Sequence, residues 1–186
     1  MARGHFTQQE RSEVYSRVLF DSAKKEGGES GSINARNELL GIKDAILSDM
    51  DLRSALESEE VNVDDKLKLA ETLCSGCMTS VKTILFNLIK NSEIDLIKIV
   101  LRKVEDLISE ELGLCVVDVV SAVELNDSIR TLIKDKAKKE LGLNATLNEV
   151  VDRSILGGVI LRVNGKCIDA SMNTQLNRAR AVLKAS

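Results

Sequence analysis

Residues 151–171 read VDRSILGGVILRVNGKCIDAS. Near their centre Asn164-Gly165 separates two short apolar runs, VILRV and KCIDA, and Asn-Gly is the favoured pair for a two-residue type I′ turn because both positions need positive φ. The stretch therefore predicts a β-hairpin of fixed register. Val163 falls opposite Lys166, Leu161 opposite Ile168 and Val159 opposite Ala170, which gathers one largely apolar face. Arg162 and Asp169 lie diagonally on the other face, within reach of an ion pair. Gly157-Gly158 leads into the first strand. Ser171 is placed to cap a last helix with Leu176, Ala179 and Leu183 inward and Arg178, Arg180 and Lys184 near its C-terminal end, where the helix dipole favours cations.

Upstream of the hairpin, residues 115–123 (CVVDVVSAV) are short and β-branched, as a strand should be. Residues 126–141 carry Ile129, Leu132, Ile133 and Ala137 at helical spacing and meet Gly142 as a C-cap. Residues 147–151 read as another short strand. Residues 113–186 thus form a small α/β unit with a β-hairpin.

Residues 1–112 follow a different period. A first helix is predicted over residues 7–25, with Val14, Val18 and Leu19 on one stripe and Tyr15 and Ser22 beside it. Gly27, Gly28 and Gly31 interrupt it. A second helix starts near Ser32 and carries Ile33, Leu39, Leu40, Ile42, Ile46 and Leu47. Asp51 is a plausible N-cap for the segment with Leu52, Ala55 and Leu56, and Asp64 or Asp65 for the one with Leu67, Leu69, Ala70 and Leu73, which stops at Cys74. A fifth segment holds Val81, Leu85, Leu88 and Ile89. The longest pattern, residues 92–112, sets Ile97, Leu101, Val104 and Ile108 on one face and ends at Gly113. Six helical segments joined mostly by short loops read as a bundle, so the fold class is mainly α: an N-terminal six-helix bundle (residues 1–112) followed by the α/β unit (residues 113–186).

Composition agrees. Apolar residues make up 44% of the chain and aromatics only 2%, with one Tyr and no Trp, so the core must be built from aliphatic side chains. The chain contains no proline, the strongest helix breaker. Residues 1–90 carry 12 basic and 15 acidic groups, and residues 91–186 carry 14 of each. No basic stripe and almost no stacking aromatics are present, which argues against nucleic acid. No apolar run approaches the ~20 residues of a membrane helix, and MARGHFTQQERSE lacks the apolar stretch of a signal peptide, so a soluble, cytoplasmic chain is expected.

Reactive-looking motifs have plainer readings. Cys74 and Cys77 have C-x-x-C spacing, but Cys115 and Cys167 are isolated and the single histidine, His5, lies near the terminus, so small buried packing residues are the better reading than a zinc or redox site. Gly157-Gly158 precedes a strand, whereas phosphate loops precede a helix. The acidic pairs Glu59-Glu60, Asp64-Asp65 and Glu110-Glu111 lack a neighbouring base or nucleophile and suit caps or solvated faces. Asn144-Ala-Thr146 fits a glycosylation sequon without a secretory signal to accompany it.

Val151-Asp152, Ser154-Ile155-Leu156-Gly157-Gly158-Val159, Val163 to Gly165, Ile168-Asp169 and Ser171 fall where delta subunits of bacterial F-type ATP synthases carry their signature, and the chain resembles that family. Its mitochondrial homologue is the oligomycin-sensitivity-conferring protein. Weaker similarity extends through Tyr15 with Leu19, residues 56–66, and Val120-Ser121-Ala122 with Leu125. Ser16, Glu124 and Ala170 depart from the family pattern, where alanine, proline and glycine are common.

The resemblance implies a non-catalytic stator connector that joins the catalytic head to the peripheral stalk and resists rotor torque. It implies that the N-terminal bundle receives the N-terminal helix of an alpha subunit in a groove between the first and fifth helices, here Tyr15, Val18, Leu19, Ser22, Val81, Leu85 and Leu88. The α/β unit would hold the b subunits of the stalk, with Gly157, Gly158, Asn164, Gly165, Asp169 and Ser171 as its structural signature. No cofactor, metal, nucleic acid or direct membrane insertion is implied, and the chain would sit on the cytoplasmic face of the inner or plasma membrane through the complex. The alternatives from other classes are a helical adaptor with another partner and a cysteine-based metal or redox module.

Overall fold

The computed structural model describes residues 7–58, 60–155, 157–163 and 166–169. The protein is mainly helical with a small C-terminal sheet, and it divides into two compact units, Met1–Ile108 and Ser109–Ser186.

The first unit holds α1 (Gln8–Ser48), α2 (Met50–Glu57), α3 (Val63–Leu73), α4 (Thr79–Lys90), a single 3-10 turn at Ile94–Leu96, and most of α5 (Ile97–Leu112). The two helices predicted on either side of the glycines run on as α1, but the backbone leaves helical geometry at Gly27 and Gly28. Gly28 adopts φ 65°, ψ −150°, open essentially to glycine alone. The chain folds back there. In a straight helix residues 23 and 31 would stand ~12 Å apart along the axis. A Cβ on Gly31 would instead meet the Ala23 carbonyl oxygen at 2.3 Å. Gly31, expected to help interrupt the helix, is therefore a helical residue that lets the two arms of α1 touch.

The termini follow local chemistry. Thr7 and Glu10 form a reciprocal capping box at the start of α1. Asp49 caps α2, so the expected cap Asp51 moves into the first turn. Asn62 caps α3, which places Asp64 and Asp65 in its first turn, where acids suit the dipole. The longest predicted helix starts later than its apolar pattern, at Ile97. Asn91 and Ser92 terminate α4, and Ser92 turns left-handed at φ 55°.

Leu19, Phe20, Leu39, Leu85, Leu88 and Val104 are among the fully buried side chains that fill the first unit. Arg36 is buried among them, and its guanidinium donates to Glu105, which supplies the counter-charge a buried cation requires.

The second unit is a four-stranded sheet in the order β2-β1-β3-β4, with β1 (Leu114–Ser121), β2 (Asn144–Val151), β3 (Val159–Val163) and β4 (Lys166–Asp169). β1 and β2 pair in parallel across α6 (Asp127–Leu141), a βαβ crossover, and β2 begins three residues before the predicted strand. Asn126 caps α6 by accepting from the Ile129 N–H, and Gly142 closes it. β3 runs antiparallel to β1 and to β4, and Leu161 pairs with Ile168 and Val163 with Lys166, the register read from Asn-Gly. Arg162 pairs with Cys167 and Ile160 with Asp169, which keeps Arg162 and Asp169 diagonal. Cys115, Val117 and Val119 alternate onto one face with Leu125, Ile133 and Ala137, joined by Leu147, Val159, Leu161 and Val163. The turn Asn164-Gly165, the pairing of Ala170 and the predicted last helix from Ser171 lie outside the described residues.

Two glycines in α1 should respond oppositely to alanine. Gly41 is exposed and open, so Gly41→Ala should stabilise by about 0.5–1 kcal/mol in urea unfolding. Gly31→Ala should destabilise by about 1–3 kcal/mol, because its Cβ meets backbone that cannot move aside.

Candidate docking surfaces

Helix α4 begins without a side-chain cap of its own: Met78 stands at the N-cap position and offers no hydrogen-bond acceptor there. The exposed amide donors of a helix start need partners. Both arms of α1 supply them. Glu38 Oε2 accepts from the Met78 N–H at 2.8 Å, while Glu26 accepts from the Ser80 N–H at 3.1 Å and the Ser80 hydroxyl at 3.2 Å. Two carboxylates at a helix N-terminus also suit its dipole.

The other end of α4 is tied by side chains. The Tyr15 hydroxyl donates to Glu93 Oε2 at 3.0 Å, Asn91 Nδ2 donates to the Tyr15 hydroxyl at 2.8 Å, and Arg11 pairs with Glu93. Burial is the main influence that pushes the Tyr15 phenol up from its usual range, with Glu93 adding to it and Asn91 opposing.

These two clamps fix a register. Tyr15 to Glu26 and Ser80 to Asn91 each span eleven residues, roughly 16 Å of helix. The first arm of α1 therefore lies antiparallel on α4, with Val18 level with Leu88, Leu19 with Asn87 and Ser22 with Ile84. The seam buries Leu19, Val81, Leu85 and Leu88, all at 0% exposure, so four of the seven groove residues expected from the sequence lie inside the unit. Tyr15 and Ser22 are half-buried, and Val18 is 47% exposed. Val14, one turn earlier, is 58% exposed and extends the same stripe; its i, i+4 spacing to Val18 is the signal that marks it. On α4 the exposed positions are Thr79, Thr83, Asn87 and Lys90. Thr83 and Asn87 each donate one side-chain hydrogen bond to their own helix, to the Thr79 and Thr83 carbonyls. The outer surface of the seam is a helix pair carrying an apolar Val14–Val18 stripe beside a polar wall.

In the second unit, Gly157 is half-buried and Gly158 is exposed at φ 85° as the chain enters β3. Asp169 ends β4, and Asn164, Gly165 and Ser171 lie outside the described residues. A shallow depression of about 470 Å³ is lined by Ala122, Val123, Glu124, Val151 and Arg153. Val123 at 72% and Leu132 on α6 at 68% leave further apolar surface open.

Cys74 and Cys77 sit in the turn that ends α3. Cys74 is the buried C-cap of α3, and Cys77 closes the following turn by donating its N–H to the Cys74 carbonyl at 3.0 Å. Burial pushes the Cys74 thiol up to about 12, with Cys77 adding to the shift, so little of it is the nucleophilic thiolate. Among the described residues, no three His, Cys, Asp or Glu side chains gather as metal ligands.

A family model described as "ATP synthase delta (OSCP) subunit" matches residues 12–183. A subunit delta of ATP synthase from Alcanivorax borkumensis is 27% identical over 88% of this chain and 90% of its own. One from Anaeromyxobacter dehalogenans is 30% identical over 91% and 94%, and one from Streptococcus agalactiae serotype V is 31% identical over 75% and 79%. Among solved structures, a chain in a cryo-EM structure of the Toxoplasma gondii mitochondrial ATP synthase hexamer has the same fold, with a TM-score of 0.54 at 19% identity over 94% of this chain and 98% of that one. The chain belongs to the ATP synthase delta (OSCP) subunit family.

Proposed function

We propose that this protein is the stator connector of an F-type ATP synthase, a non-catalytic subunit that links the catalytic head to the peripheral stalk. Membership of the delta family is the observation that carries the reading. A connector makes and breaks no bond. It must withstand torque through two attachments, which calls for stiff helices and sizeable interfaces.

The first unit offers a stiff surface. Counted with the two arms of α1 separate, its six helical segments act as one bundle, and the outer face of the α1/α4 seam receives the N-terminal helix of an alpha subunit. Helix-in-groove recognition uses apolar anchors three and four residues apart, and Val14 and Val18 present the four-residue spacing, with half-buried Ser22 one turn further on. Leu19, Val81, Leu85 and Leu88 support this face from below. The second unit engages the b subunits, which keeps the two attachments on separate compact units. Among the described residues no helix is long and apolar enough to cross a membrane, which suits a peripheral place in the complex, on the cytoplasmic face of the inner or plasma membrane.

Placing a charge on the docking stripe tests the head attachment. Val18→Glu should leave the helical content unchanged, since the side chain is already half-exposed, yet weaken binding of an alpha N-terminal peptide at least roughly tenfold by burying an unpaired charge. Co-purification from membranes should lose alpha while b remains. Retention of alpha by the variant would refute this docking face. The cysteine-based reading makes a separate demand: native-state alkylation near pH 8 should modify half-buried Cys77 well before Cys74, and rapid labelling of Cys74 would revive a redox role.

A further inference from the structure

We infer that Glu93 is a positioning residue for the docking face, its carboxylate tying the first turns of α1 to the end of α4 so that the Val14–Val18 stripe is held in register. The inference rests on the docking reading proposed above. Helix α4 ends in a Schellman arrangement, with the Glu93 N–H donating to the Leu88 carbonyl at 2.7 Å and the Ser92 N–H to the Ile89 carbonyl at 3.0 Å. The position between them needs a left-handed residue and is Ser92, at φ 55°, where glycine is the usual occupant. The residue after it commonly makes an apolar contact back onto the helix, yet here it is a carboxylate whose side chain is only 10% exposed. The turn carries that carboxylate under α1, where the Tyr15 hydroxyl and the Arg11 guanidinium both donate to it.

The two clamps are unequal. At the start of α4, Glu26 and Glu38 bind backbone amides that the helix itself holds in place. At the far end only side chains join α1 to α4, and Glu93 takes two of the three contacts, from Tyr15 and Arg11, while Asn91 reaches Tyr15 directly. Without it Tyr15 and Arg11 lose their acceptor, the Asn91–Tyr15 bond alone remains of these contacts, and Val14 and Val18 are held less closely to the opposite wall. A partner helix then finds its site in only a fraction of molecules, and the apparent affinity falls by that fraction.

The chain has one tyrosine and no tryptophan, so ultraviolet titration of the full protein reports Tyr15 alone. Glu93→Gln should let Tyr15 ionise at lower pH, because Glu93 raises its pKa and the opposing Arg11 remains. The same variant should bind a synthetic alpha N-terminal peptide roughly tenfold more weakly in calorimetry performed well below its melting temperature. Tyr15→Phe should weaken binding similarly, and the double variant should lose clearly less than the sum of the two single losses, since both remove the Tyr15–Glu93 bond. If Glu93→Gln melts below the assay temperature, Glu93→Asp, which withdraws the carboxylate by one methylene, replaces it with the same expectations. Unchanged affinity in Glu93→Gln, an unmoved Tyr15 titration, or additive losses in the double variant would each overturn the role. Failure of the unaltered chain to bind the peptide would overturn it together with the docking reading, and a shifted Tyr15 titration would show that the clamp itself exists.

Discussion

A helix start with no cap of its own shapes the first unit. Met78 does not cap the start of α4, and Glu26 and Glu38 accept from its amides from two different arms of α1. Both contacts are made with α1 doubled back at Gly27-Gly28 and its arms closed at Gly31. Once the start of α4 is fixed against Glu26, the equal spacing to Tyr15 and Asn91 determines which faces of the two helices meet. Leu19, Leu85 and Leu88 are then driven into the core and Val14 and Val18 outward. Apolar burial supplies the driving force for packing, and the polar contacts select one register among the several that aliphatic stripes would tolerate.

The second unit reaches the same end by strand chemistry. Alternation on β1 sends Cys115, Val117 and Val119 to one face, α6 covers that face with Ile133 and Ala137, and the crossover places β2 parallel to β1. The β3–β4 hairpin then continues the sheet on the other side of β1. Gly157 and Gly158 deliver the chain into β3, while Val123 and Leu132 leave exposed apolar surface in this unit.

The sequence revealed element types well, because period and punctuation are local. Asn164-Gly165 gave the β3–β4 register, Gly142 the end of α6, and the aliphatic spacing the helices of the first unit. Caps were displaced by two or three residues where several acids or amides competed, as Asp49 displaced Asp51 and Asn62 displaced Asp64 or Asp65. The groove was less legible. A helical stripe shows which residues are apolar but not which side of the stripe a neighbouring helix covers, so buried Leu19, Val81, Leu85 and Leu88 could not be told from exposed Val14 and Val18. Glu26, Glu38 and Glu93 were invisible as determinants because their partners lie 40 to 82 residues away. Nothing in a lone acidic residue announces a distant amide or phenol.

A connector under torque benefits from rigid placement of its contact side chains, and the polar ties at both ends of the α1/α4 seam supply it without a reactive centre. Amide hydrogen exchange of the full chain, with and without the alpha N-terminal peptide, tests this most directly. New protection is expected along residues 14–22 and 79–91, with residues 123–151 unchanged. Protection confined to residues 123–151, with the α1/α4 seam exchanging as before, would contradict it.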